Sequence, residues 1–165
     1  MTTSAPVERV LPPQPPFDLV NRVMRWLLRS PRRSRRVGEH LLVLHVRGRR
    51  SGRLLDVPVA SRVQQDGRLL VLTSSVWRLN LRDQRAVEVT LRGVRRAADA
   101  ELVEDVDEVA DVYARLIGEV GRARAGRELG VRVNVDRDPT HDELVAAARR
   151  DGLSVVHLTL VEDGR

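Results

Sequence analysis

The chain has 165 residues, 42% of them hydrophobic, which suits a single domain with one buried core. All 29 basic residues are arginine and stand against 23 acids, a formal net charge of +6 that fits a polyanionic ligand, nucleic acid or an acidic membrane surface, although a high-GC genome gives the same arginine bias. Cysteine is absent and aromatics make up 2%, which excludes disulfides, thiolate metal sites and cysteine nucleophiles and leaves few platforms for stacking bases, so no specific nucleic-acid partner is expected.

Residues 1–16 are polar and then proline-rich, and are expected to form a disordered or surface arm ahead of a single domain over 17–165. From Phe17 to Arg29, Phe17, Val20, Val23, Met24, Leu27 and Leu28 recur at helical spacing among arginines. This predicts a basic amphipathic helix that packs on the core or rests on a membrane surface. No apolar run approaches the ~18 residues of a membrane span. The N-terminal residues also lack signal-peptide order, so a cytoplasmic location is expected, with peripheral membrane contact through this helix left open.

Leu41 to Val46 reads as a strand and leads into Gly48-Arg49-Arg50-Ser51-Gly52-Arg53, which packs small residues and cations into one turn. Glycine permits positive φ, so consecutive N–H groups can converge into a concavity ringed by guanidiniums. An anion seat and a solvated basic hairpin turn are both compatible with these residues. Leu54 to Val63 reads as a strand with Leu55, Val57, Val59 and Val63 on one face. Pro58 cannot donate to a central ladder, which places it at an edge or bulge. Asp66-Gly67 predicts a hairpin into Leu69 to Thr73; a polar-aromatic link from Ser74 to Arg82 follows, then strands Ala86 to Leu91 and Val94 to Val103 joined at Gly93. Five or six antiparallel strands of this kind make a small barrel or curled sheet. Asp105 and Glu108 open a helix that ends at Gly118 and Gly121; Gly121 to Gly130 is basic and weakly helical. Thr140 and Glu143 form a capping box for a short helix closed by Asp151-Gly152, and Leu153 to Val161 is a last strand.

The histidines His40, His45, His141 and His157 never pair at metal-ligand spacing, so no metal site is expected, and those in strands read as hydrogen-bonded or exposed. No serine stands in a nucleophile elbow, and the P-loop-like spacing at Gly121 to Gly126 is followed by Arg127-Glu128 instead of Lys and Ser/Thr. No catalytic side chain is assigned.

The order of residues carries more than their types. Leu-Leu-Val-Leu, Gly48-Arg49-Arg50-Ser51-Gly52, Pro58, Asp66-Gly67, Ser74 and Trp77-x-x-Asn80-Leu81-Arg82 before a Val-Glu-Val strand resembles the deazaflavin-dependent nitroreductase family. The resemblance implies an α+β fold, an antiparallel split β-barrel related to the FMN-binding pyridoxamine-phosphate-oxidase fold and flanked by helices, with a basic helical insertion at 121–151. It implies that Gly48, Arg49, Arg50, Ser51, Gly52 and Arg53, with Pro58 beyond them, hold the phosphate and acidic tail of coenzyme F-420. Ser74, Ser75, Trp77 and Asn80 would border the deazaflavin ring. The implied activity is hydride transfer from the reduced coenzyme to a small electron-poor organic acceptor, and the implied assembly is a homodimer. The chain departs from the family at Leu55, where an arginine is common, at Arg78, where a tyrosine is usual, and in the shortened Ser74-Ser75-Val76 loop. These departures keep a second reading open: a non-enzymatic or differently loaded split barrel holding FMN, a tetrapyrrole or a lipid, or serving as an interaction module.

Overall fold

The computed structural model describes residues 4–11 and 41–162. The amphipathic helix expected from Phe17 to Arg29 lies outside the described residues. By their contacts the residues divide into a sheet unit (Pro15–Val71, Val76–Leu102 and Val156–Arg165) and a helical unit (Met1–Gln14, Leu72–Ser75 and Val103–Val155), where the sequence suggests one domain.

In chain order the strands are β1 (Val7–Arg9), β2 (Leu41–Arg47), β3 (Leu54–Ala60), β4 (Arg62–Val63), β5 (Leu69–Thr73), β6 (Ala86–Leu91), β7 (Val94–Val103), β8 (Val131–Val133) and β9 (Ser154–Leu160). Seven of them form one curled antiparallel sheet in the order β3-β2-β6-β7-β9-β5-β4. The order itself shows why the sheet curls. β3 and β4 lie at opposite edges yet are separated in the chain by Ser61 alone. Six strand spacings in a flat sheet would put the edges about 28 Å apart, far beyond what one residue spans. The sheet must therefore bend until its edges approach each other at Ser61, which is 3% exposed.

Alternation decides which face is inside. Leu42, Leu44 and Val46 from β2, Val59 from β3, Val87 and Val89 from β6, and Val156 and Leu158 from β9 are all buried in one cluster. Each such side chain contributes roughly 1.5–3 kcal/mol of burial. Pro58 faces Val43 on β3, an edge strand, where its missing N–H costs no ladder bond. The expected single strand from Leu54 to Val63 is broken at Ser61, and only Val57 and Val59 of its proposed inner face join the core. Leu55 is 37% exposed at the open end of β3, and Val63 is 67% exposed on the short β4.

In the helical unit, α1 (Val106–Val120) begins at Asp105, whose carboxylate accepts from the N–H groups of Asp107 and Glu108. Gly118 lies within α1, and Gly121, at φ 83°, ends it. α2 (Arg122–Glu128) fills the basic stretch. α3 (His141–Asp151) starts at the expected Thr140/Glu143 capping box and stops at left-handed Gly152. Val109, Tyr113 and Ile117 of α1 and Leu144 and Ala148 of α3 are buried, and burial pushes the Tyr113 phenol up.

Within the stretch expected to be a disordered arm, Val7–Arg9 is a strand paired antiparallel with β8, and Val7 is 1% exposed. Val7 is buried opposite Val133, and the Arg150 guanidinium donates to the Val7 carbonyl at 2.7 Å.

Candidate functional site

β2 and β3 are joined by the turn Gly48 to Arg53, and the turn is closed by its own bonds. The Gly48 N–H donates to the Arg53 carbonyl and the Gly52 N–H to the Gly48 carbonyl, each at 2.7 Å. The Arg53 N–H donates to Ser51 Oγ at 3.3 Å, and Arg47 Nη1 to the Gly52 carbonyl at 3.0 Å. Glycine is required at two points. A Cβ on Gly48 would stand 2.6 Å from Ser51 Oγ, and Gly52 has φ +67°.

Beneath the turn lies a 3₁₀ helix, Val76–Asp83, within the stretch that the sequence reads as a polar-aromatic link from Ser74 to Arg82. Leu81, 2% exposed, anchors it in the core, and Trp77 packs half-buried against the same cluster. Asn80 Oδ1 accepts the Arg49 N–H at 2.9 Å, while Asn80 Nδ2 donates to the Trp77 carbonyl at 2.9 Å. Gln84 Oε1 accepts the Arg47 N–H at 3.0 Å.

These bonds refine the expected nest of N–H donors. Four of the turn's six backbone N–H groups, those of Gly48, Arg49, Gly52 and Arg53, are engaged within the protein. Those of Arg50 and Ser51 have no such bond among the described residues. The guanidiniums of Arg49, Arg50 and Arg53 likewise have no carboxylate partner among the described residues, and all three side chains are exposed. The turn therefore presents two N–H groups and three cations, a donor set suited to phosphate and carboxylate.

The structure brings Gly48, Arg49, Arg50, Ser51, Gly52, Arg53, Trp77 and Asn80 together in the sheet unit. Pro58 belongs to the same unit but lies four residues along β3 from Leu54, roughly 13 Å of strand. Ser74 and Ser75 belong to the helical unit. There Arg9 Nη1 donates to Ser74 Oγ at 3.2 Å, and the Ser75 N–H donates to Thr73 Oγ1 at 3.1 Å. Arg47 and Gln84 were not singled out by sequence. No local signal marks them, because each bond joins segments far apart in the chain or closes within the turn.

His45, elsewhere in the sheet unit, keeps its bonds within the protein. It is 5% exposed on the face opposite the core, with Nδ1 2.6 Å from Asp56 Oδ1 and Nε2 2.8 Å from Thr90 Oγ1. Both ring nitrogens are satisfied, in line with a hydrogen-bonded strand histidine. Among the described residues no group of acids and histidines is arranged to hold a metal ion, and no helix is long and apolar enough to cross a membrane.

Comparison with solved structures gives a pyridoxamine 5'-phosphate oxidase-related, FMN-binding protein from Nostoc punctiforme, with 15% identity, 89% of this chain and 81% of that one covered, and a TM-score of 0.50. At that identity the likeness shows the fold, the split barrel. A domain-swapped dimer matches at 16% identity over 88% of this chain and 100% of that one, with a TM-score of 0.45. A conserved hypothetical protein from Mycobacterium tuberculosis matches at 14% identity over 93% and 83%, with a TM-score of 0.39. No curated protein sequence matches the chain. The model of one family, F420H(2)-dependent quinone reductase, matches residues 28–136, a span that contains the whole turn and the 3₁₀ helix. The chain belongs to the F420H(2)-dependent quinone reductase family.

Proposed function

We propose that this protein is a deazaflavin-dependent reductase that passes a hydride from reduced coenzyme F420 to a small electron-poor acceptor of the quinone class. The observation that supports this most is the turn from Gly48 to Arg53. It is closed by its own backbone bonds and by the Asn80 carboxamide, while three guanidiniums and the N–H groups of Arg50 and Ser51, with no acid or acceptor among the described residues, are open to an anion. Such a donor set fits the phosphate and carboxylates of the coenzyme's tail, and each charge-assisted bond contributes a net ~1.5–3 kcal/mol.

When bound, the deazaflavin supplies the hydride. The chain's residues bind and orient. Arg49, Arg50 and Arg53 fix the anionic end, Gly48 and Gly52 allow the backbone to close behind it, and Trp77 offers a flat apolar wall. Leu54 and Leu55, directly after the turn, are exposed at 51% and 37%, and Val76, at the start of the 3₁₀ helix, at 76%. These apolar groups suit a quinone ring better than a charged acceptor. Leu55, standing where the related nitroreductases commonly carry arginine, shifts the balance at this point from charge to apolar contact.

The test is anaerobic mixing of the protein with reduced coenzyme and a soluble quinone, followed by the coenzyme's absorbance. Quinone-dependent, saturable oxidation is expected. A rate equal to the protein-free background, or turnover with FMN but none with the deazaflavin, would overturn the reading.

A further inference from the structure

The resemblance sets Asn80 at the ring of the coenzyme, yet both ends of its carboxamide are occupied inside the protein. Oδ1 takes the Arg49 N–H and Nδ2 reaches the Trp77 carbonyl, each at 2.9 Å. The first of these bonds fixes the orientation of the peptide plane leading into Arg49. With Gly48 and Gly52 bonded across the base of the turn, that bond sets where the next two N–H groups, those of Arg50 and Ser51, point. Gln84, the residue after the helix, repeats the device, accepting the Arg47 N–H at 3.0 Å, while Arg47 Nη1 closes on the Gly52 carbonyl. Leu81 between them is 2% exposed, so the helix that carries Asn80 and leads directly into Gln84 is anchored in the core. The 3₁₀ helix is thus a template on which the turn is laid.

We infer that Asn80 is a positioning residue for the coenzyme's phosphate, acting through the Gly48–Arg53 turn and not through contact with the ring. This rests on the functional reading above. A seat ordered before the ligand arrives avoids the entropy of ordering it on binding, so loosening the turn weakens an anion-bearing ligand and leaves a neutral one unaffected. Trp77 stays in place without Asn80 because its side chain packs on the core.

The experiment compares wild type, Asn80→Ala and Asn80→Asp in two measurements. Fluorescence titration uses the full coenzyme and, separately, its phosphate-free deazaflavin nucleoside. Hydrogen exchange of the Arg49 amide is followed in the ligand-free proteins. Asn80→Ala should weaken the coenzyme about tenfold, the range of one lost hydrogen bond, leave the nucleoside within about twofold, and accelerate Arg49 exchange. Asn80→Asp keeps an acceptor for the Arg49 N–H and should retain its protection. Equal losses for coenzyme and nucleoside would place Asn80 against the ring and overturn the inference, as would unchanged coenzyme affinity or unchanged Arg49 exchange in Asn80→Ala. Failure of the wild type to bind the coenzyme would overturn the functional reading and this inference with it; failure of Asn80→Ala to discriminate the two ligands overturns the inference alone.

Discussion

Two arginine-bearing loops use the same residue for opposite ends. In the loop before α3, Arg137 makes a bidentate pair with Glu143, at 2.9 and 2.7 Å, and Glu143 also accepts the Thr140 N–H at 2.8 Å. Its guanidinium is a part of the helix cap. In the turn from Gly48 to Arg53 the cap-like bonds are made by backbone, Ser51 and Asn80, and the guanidiniums of Arg49, Arg50 and Arg53 are left without an acid among the described residues. A chain with 29 arginines does not advertise its site by charge. What separates a binding cation from a structural one is whether the fold has already supplied its anion.

That contrast can be broken most forcefully at the turn itself. Replacing Arg49 and Arg50 together with alanine should weaken the coenzyme by about a hundredfold or more, taking ~1.5–3 kcal/mol for each charge-assisted contact. The melting temperature should stay within a degree or two of wild type, since exposed cations with no acid partner among the described residues add little to stability. Leu81→Ala attacks the helix beneath the turn and should cost about 2–5 kcal/mol of stability, read by chemical denaturation. At concentrations where the variant remains folded, its coenzyme affinity should also fall. On the other loop, Thr140→Ala removes a cap worth about 1 kcal/mol and should leave coenzyme binding untouched.

The smallest expected effects are those of pH in the helical unit. The Arg137 guanidinium and the Thr140 N–H hold the Glu143 carboxyl down, from 4.5 to about 2. Its contribution is therefore complete above pH 4.5 and is lost as the pH falls towards about 2. His141 moves the other way. Its hydrogen bond to Asp107, 2.9 Å long, and the neighbouring Asp111 raise its pKa above the ordinary 6.5. Its contribution is complete below 6.5 and lost as the pH rises through the raised value. Thermal melts of Glu143→Gln and His141→Gln should flatten the acid and the neutral-to-alkaline parts of the wild-type profile respectively.

The sequence made the local parts legible. Alternation places Leu69–Thr73, Ala86–Leu91 and Val94–Val103 at their observed bounds, and the Thr140/Glu143 box marks the start of α3. These signals lie within a few residues of what they specify. The insertion of β9 between β7 and β5 is a pairing between distant segments that no local period encodes. Val7–Arg9 is a three-residue strand whose partner lies more than a hundred residues on, so its burial was hidden behind the prolines that follow. Ser61, a lone residue that turns the chain from one sheet edge to the other, interrupts a run that reads as continuous. At the site, the order of residues from Gly48 to Asn80 carried the family. The bond from Arg49 to Asn80 was not visible, because it joins positions 31 residues apart.

Fluorescence titration of the coenzyme into wild type, Arg50→Ala and Arg137→Ala measures the difference between the two loops directly. Wild type and Arg137→Ala should bind alike, and Arg50→Ala should bind about tenfold or more weakly, as one lost charge-assisted contact requires. Equal affinity in all three proteins would contradict the assignment of the Gly48–Arg53 turn as the anion seat.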